Sequence, residues 1–252
     1  MRPVALALHG FMGTGRDWDP VAARLADAAD VVAPDLPGHG GAVGLDAPAY
    51  TMDGAAARLR DALDARGVWR AVVAGYSMGG RLALHFALLH PARVAALVVV
   101  SASPGLASGE ERAARRRLDA ERAAQVAADF PGFLDRWYRA PIWGGLGADA
   151  RRRLVRRRLA NDPAELARSL AGMGTGAQPS HWDALPRLPP TRALAGARDA
   201  KFVRIARRMA EAAPVEAVVV PGAGHALLDG APAAVAAALR DPLAAAAGSP
   251  AR

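Results

Sequence analysis

A chain of 252 residues, 52% hydrophobic and without cysteine, suffices for one α/β domain with a large core and excludes disulfides and thiolate metal sites. Its formal net charge of +8 rests almost wholly on arginine, with Lys201 the single lysine; arginine and alanine enrichment together fit a GC-rich coding sequence as well as attraction of an anionic partner. No apolar run reaches the roughly 18 residues of a membrane span, and MRPVALALHGF is too short for a signal peptide, so a cytoplasmic protein that needs no membrane is expected.

Residues 4–8 (VALAL) form a short apolar run that stops at His9-Gly10, the pattern of a buried strand entering a loop. Val31–Ala33 repeats it ahead of Pro34-Asp35-Leu36-Pro37-Gly38-His39-Gly40, which excludes regular structure; Asp35 is expected to shape that loop. Charges at helical spacing predict a helix over Gly54–Arg66. Ala71–Ala74 then predicts a strand, Gly75–Gly80 a tight turn, Arg81–His90 a helix halted before Pro91, and Ala95–Val100 another strand. From Glu110 to about Leu170 the segments are helix-like and arginine-rich, with no convincing strand. Strand character returns at Thr191–Ala195 and Val215–Val220, followed by a closing helix at Ala233–Arg240 and an Ala/Gly/Pro tail expected to fray. Strands alternating with helices imply an α/β fold whose mostly parallel sheet is covered on both faces. The economical organisation is a core of residues 1–105 and 189–252, interrupted by a helical cap at 106–188.

Gly75-Tyr76-Ser77-Met78-Gly79 fits G-x-S-x-G between a strand and a helix, the context in which a serine stands exposed on a sharp turn. Side chains at the two glycine positions would collide with neighbouring backbone, and the Met78 N–H opens the following helix, where it can meet an oxyanion. A serine hydroxyl needs a base, and His225, in Gly222-Ala223-Gly224-His225 after the last strand, is placed to serve. Asp199 leaves a strand into a loop and fits the third position, in the chain order Ser77, Asp199, His225; Asp183 and Asp229 are its rivals. The second oxyanion donor is assigned to the Phe11 N–H, in the glycine-flanked loop His9-Gly10-Phe11-Met12-Gly13.

Five stretches together resemble a more specific group: GYSMGGRLAL at 75–84, HGFMGTGRDW at 9–18, DLPGHG at 35–40, GMGTGAQPSHW at 172–182, and GARDAKF at 196–202 with GAGH at 222–225. The chain is similar over nearly its whole length to the MenH family, the 2-succinyl-6-hydroxy-2,4-cyclohexadiene-1-carboxylate synthases of menaquinone biosynthesis, on the α/β-hydrolase fold. The resemblance implies a lyase that eliminates pyruvate from 2-succinyl-5-enolpyruvyl-6-hydroxy-3-cyclohexene-1-carboxylate without metal or cofactor. It implies that Ser77 acts as a base and that Met78 and Phe11 hold an enolate. The substrate carries three carboxylates, and the resemblance implies that Arg81, Tyr76, Arg115, Trp137, Arg158 and Gln178 bind it. Bidentate pairing suits arginine for that work. Arginine runs also make solvated helix faces, and the register within 115–117 and 156–158 is not fixed by the sequence.

Two other readings use the same residues. A serine hydrolase, an esterase or carbon–carbon bond hydrolase, would need the same triad and oxyanion hole. A nucleic-acid binder would use the basic surface, but no aromatic platform or helix-turn-helix pattern accompanies the arginines, so no nucleic-acid partner is expected. The expected partner is the small tricarboxylate alone, bound by a monomer or, alternatively, a homo-oligomer.

Overall fold

The computed structural model describes residues 2–248. Its strands are β1 (Val4–Leu8), β2 (Asp30–Val32), β3 (Ala71–Tyr76), β4 (Val94–Val100), β5 (Thr191–Gly196) and β6 (Val215–Val220). They form one sheet in the order β2-β1-β3-β4-β5-β6, and every neighbouring pair is parallel. Parallel neighbours require crossover connections, and helices supply them. The chain winds outward from β1 to β2, then returns to β3 on the other side of β1. That reversal opens a crevice at the carboxyl ends of β1 and β3, the usual place for a ligand in an open α/β sheet.

The helices are α1 (Asp19–Ala22), α2 (Met52–Asp64), α3 (Met78–Leu89), α4 (Gly109–Ala128), α5 (Phe130–Arg139), α6 (Ala148–Arg158), α7 (Pro163–Met173), α8 (Ala200–Ala212), α9 (Leu227–Gly230) and α10 (Pro232–Ala247). The sheet is buried on both sides, which is why its central strands read as unbroken apolar runs. Val73, Leu97 and Val99 face Leu59 of α2, Phe86 of α3 and Met209 of α8. Val72, Ala74, Val98 and Val100 face Trp18, Val21 of α1, and Val235 and Leu239 of α10.

Between β4 and β5 run α4 to α7, with no strand. Their starts are written in the sequence: Ser108 and Glu111 form a reciprocal capping box on α4, Asp129 caps α5, and Asp162 caps α7 ahead of Pro163. These helices enclose a third apolar cluster of Val126, Phe130, Phe133, Leu134, Tyr138, Trp143, Leu154 and Leu166. Met12, from the loop after β1, is fully buried in it. No described helix is long and apolar enough to cross a membrane.

Three elements differ from the sequence expectations. Helix α8 was not expected, because its inward stripe is only Val203, Ala206 and Met209 among four basic residues. Helix α3 starts at Met78 rather than Arg81: Gly79 and Gly80 weaken helix propensity, but the close packing of this turn requires them. Helix α10 passes Pro242 and continues to Ala247, where burial of Leu243 holds a segment expected to fray. Positions 249–252 of that tail lie outside the described residues.

Behind α3, His85 and His181 are buried in a polar chain. The Asp53 carboxylate can only accept, so His85 Nε2–H donates to it (2.7 Å), and His85 Nδ1 is left to accept from His181 Nε2–H (3.1 Å). Burial, and then the neighbouring His85, push His181 down to about 4. A histidine held below its unfolded value contributes stability that is complete above about pH 6.5 and is lost as pH falls toward 4. Urea unfolding followed from pH 7 to 4.5 should therefore show a decline that is smaller by on the order of 2 kcal/mol in His181→Gln than in wild type, burial of His9 and His39, which also lowers their pKa values, supplying a decline common to both proteins. Parallel curves for the two proteins would refute this.

Candidate active site

Ser77 sits between β3 and α3 with φ 52° and ψ −109°, a left-handed conformation that a non-glycine residue adopts only when its surroundings impose it. Two contacts impose it. A Cβ at Gly75 would lie 2.3 Å from the Gly79 carbonyl oxygen, and one at Gly79 would lie 2.3 Å from that of Leu8. The start of α3 thus rests directly on β1 and β3. Ser77 N–H donates to Val100 O (2.8 Å), and Arg81 N–H to Ser77 O (3.1 Å). The N–H groups of Met78 and Phe11 find no acceptor among the described residues.

Asp199, Ser77 and His225 come from three loops at the carboxyl ends of strands and meet. His225 Nδ1 lies 2.7 Å from Asp199 Oδ2, and His225 Nε2 lies 3.3 Å from Ser77 Oγ. A carboxylate accepts, so Nδ1–H donates to Asp199, which leaves Nε2 to accept the Ser77 hydroxyl proton. Asp199 is also the N-cap of α8, its Oδ1 accepting from Phe202 N–H (3.4 Å), which orients the carboxylate. Ser101, with φ 50°, donates its hydroxyl to the His225 carbonyl at 3.2 Å and braces that loop. The rivals are elsewhere: Asp229 pairs with Arg157 (2.6 Å), and Asp183 lies in the turn before β5. Asp35 accepts from Gly15 and Gly41 N–H (2.8 Å each) and shapes its loop.

The imidazole is walled by rings. Phe202 lies 4.9 Å, Trp143 5.2 Å and Tyr76 5.6 Å from His225, centroid to centroid. Trp137 stacks on Phe133 at 5.5 Å and meets Phe11 edge-on at 6.0 Å, which brings the helices between β4 and β5 onto the loop after β1. Burial holds the Tyr76 phenol well above its ordinary range, so it stays protonated. Gln178 is fully buried, donating to Ser103 O (2.9 Å) while its Oε1 has no protein partner.

Four cations gather beside this group. Arg81, one helical turn past Ser77, is 9% exposed, donates to Met173 O (2.8 Å) and has no carboxylate within 4 Å among the described residues. Burial, and then Arg115, push it down to about 10. In its run Arg115 is the half-buried member, and its Nε is 2.7 Å from Asp119, whereas Arg116 and Arg117 are exposed. The other two are Arg122, also on α4, and Lys201, at the start of α8. Arg122 lies in no local motif and Lys201 lies in the GARDAKF stretch, but nothing in the sequence marks either as a site residue; only the packed chain sets them against Trp137 and Phe202.

Arg158, also expected among the substrate-binding residues, has protein partners of its own. Its guanidinium is buried and engaged by Asp17, at 2.9 and 2.7 Å, and by the Tyr138 hydroxyl at 3.2 Å. Burial alone would lower its pKa, but Tyr138 and Asp17 overcome that and raise it. Arg158 thus clamps α6 to the loop after β1. No local signal announces the pair, because Asp17 and Arg158 are 141 positions apart.

A family profile described as the alpha/beta hydrolase family matches residues 5–238. The 2-succinyl-6-hydroxy-2,4-cyclohexadiene-1-carboxylate synthase of Escherichia coli O1:K1 is 33% identical over 88% of this chain and 86% of its own length. Among solved structures, MenH from S. aureus has a TM-score of 0.90 at 28% identity, covering 98% of this chain and 95% of its own. A thermophilic esterase from Thermogutta terrifontis, solved with malate bound, has a TM-score of 0.83, also at 28% identity, over 97% and 90% of the two chains.

The clamp is testable by stability. Asp17→Ala leaves Arg158 buried without its carboxylate and should cost about 3–5 kcal/mol in urea unfolding. Asp17→Ala combined with Arg158→Met removes both charges and should cost less than Asp17→Ala alone. A double variant no better than the single would disprove the pairing as the source of the loss.

Proposed function

This chain belongs to the 2-succinyl-6-hydroxy-2,4-cyclohexadiene-1-carboxylate synthase family within the α/β hydrolases, and from that premise we propose that it is a lyase of menaquinone biosynthesis. Its substrate is 2-succinyl-5-enolpyruvyl-6-hydroxy-3-cyclohexene-1-carboxylate, and its products are 2-succinyl-6-hydroxy-2,4-cyclohexadiene-1-carboxylate and pyruvate. The observation that carries the reading is Arg81: a buried guanidinium one turn from Ser77, with no carboxylate partner among the described residues. A neutral ester would leave that charge uncompensated in the cleft, whereas a polycarboxylate supplies its counter-ion.

The reaction uses the triad as a base. His225 Nε2 accepts the Ser77 hydroxyl proton as the serine oxygen removes the ring proton alpha to the succinyl ketone. The electron pair moves onto the ketone oxygen, and the resulting enolate is held by the Met78 and Phe11 N–H groups. Each such donor is worth roughly 3 kcal/mol of barrier. When the enolate collapses, the ring double bonds shift into conjugation and the carbon–oxygen bond to the enolpyruvyl group breaks. The departing enolate takes up the proton held by His225 and leaves as pyruvate. Asp199 keeps the imidazole in the required tautomer and stabilises its charged form. Arg81 and Arg115 bind carboxylates, with Trp137 and Tyr76 as walls.

Pyruvate release from the enolpyruvyl substrate, followed with lactate dehydrogenase, tests this directly. Ser77→Ala and His225→Ala should each lower turnover about a thousandfold or more, with unfolding midpoints near wild type. Arg81→Ala should lose about ten- to a hundredfold in kcat/KM. No pyruvate above background, alongside fast turnover of p-nitrophenyl esters, would replace the lyase with the serine hydrolase that the same triad also permits.

A further inference from the structure

Of the 32 basic residues one alone is lysine, Lys201, and it stands in the first turn of α8, two residues after Asp199. Folding gives no reason for a cation there. A positive charge in the first turn opposes the helix dipole, which favours acids at that end. No carboxylate lies within ion-pair distance of Lys201 among the described residues. Its company is like-charged: Lys201 is an exposed residue, yet partial desolvation and then Arg115 lower its pKa most, and Arg122 adds to them against the opposing pull of Asp199.

Lys201 lies over a ring that walls His225, and Arg122 over a ring that meets Phe11. Lys201 Nζ lies 5.4 Å from the centre of the Phe202 ring, itself 4.9 Å from His225. The Arg122 guanidinium lies 5.4 Å from the Trp137 ring, which touches Phe11. Arg122 follows Arg115 by two turns on the same face of α4, and Asp119 stands between them. Asp119 Oδ1 is 2.7 Å from Arg115 and 3.8 Å from Arg122, while its Oδ2 accepts from Gly176 N–H (2.9 Å). One carboxylate thus serves two arginines.

We infer that Lys201 and Arg122 form an anion seat at the mouth of the cleft, distinct from the Arg81 position beside Ser77, that binds a substrate carboxylate remote from the reacting carbons. The seat rests on the polycarboxylate reading above and specifies which side chains meet one of its charges. A lysine suits this rim: its compact ammonium and three rotatable donors can follow a carboxylate in and out, which a planar guanidinium does less readily.

Because Lys201 is the only lysine, amine-selective acetylation can modify just this residue and the amino terminus. Peptide mass spectrometry of wild-type protein should show citrate, a soluble tricarboxylate, slowing acetylation of Lys201 about tenfold, with the amino terminus unaffected. Acetate at equal ionic strength should not protect. Lys201→Met and Arg122→Ala should each raise KM for the enolpyruvyl substrate about tenfold with kcat within about twofold, and Lys201→Arg should fall between Lys201→Met and wild type. Lys201 acetylated equally fast with and without citrate, or KM unchanged in both variants, overturns the seat. Wild-type protein that releases no pyruvate sinks the lyase reaction, yet citrate protection still decides the seat, because it is read without turnover.

Discussion

The start of α3 lies against the carboxyl ends of β1 and β3 at a separation that admits no Cβ at position 75 or 79. From that contact follow the positive φ of Ser77 and the exposure of its hydroxyl above the sheet. The Met78 N–H is left free at the head of the helix, and Arg81 is carried one turn further into the protein. His225 and Asp199 need only reach this fixed point from the ends of β6 and β5. A small residue is thus required for close approach at two places, and the strain at Ser77 is the local cost of the arrangement.

The cap adds charge to that scaffold in an order the core could not supply. Asp119 is buried between α4 and the loop at Gly176, and its two oxygens organise Arg115, Arg122 and a backbone N–H together. Arg115 and Arg122 share this one carboxylate and Arg81 lies near it, while Lys201 faces Asp199, which is already bonded to the imidazole. Such a cluster opposes its own folding, since like charges in a partly desolvated cleft repel. A polyanion bound there, as the proposed function requires, would relieve that repulsion and stabilise the fold by mass action.

The alternating strands, the serine turn and the histidine loop could be read from the sequence because each depends on neighbours within a few positions. VALAL is apolar on both faces, VEAVVV is apolar but for Glu216, and G-x-S-x-G carries its own steric requirement. The cap starts were equally local, as Ser108 with Glu111 shows. The pairing of Arg158 with Asp17, and the places of Arg122 and Lys201, could not be read for the opposite reason. An arginine in a run looks the same whether it meets water, substrate or a buried aspartate, and Asp17 becomes the partner of Arg158 only when α6 packs over the loop after β1. Helix α8 was missed because three apolar residues among charges make too narrow a stripe.

The Asp17–Arg158 clamp carries a further consequence for how this chain can vary. A buried ion pair adds little net stability over a well-packed apolar pair, but removing either partner alone strands a charge. Met12, which follows Phe11 in the loop after β1, packs into the same cluster as Tyr138, the third member of the clamp. A substitution at 17 alone is therefore costlier than one matched at 158. In the space of sequences the two positions are coupled, and through them the seating of the helices between β4 and β5 is coupled to the loop after β1.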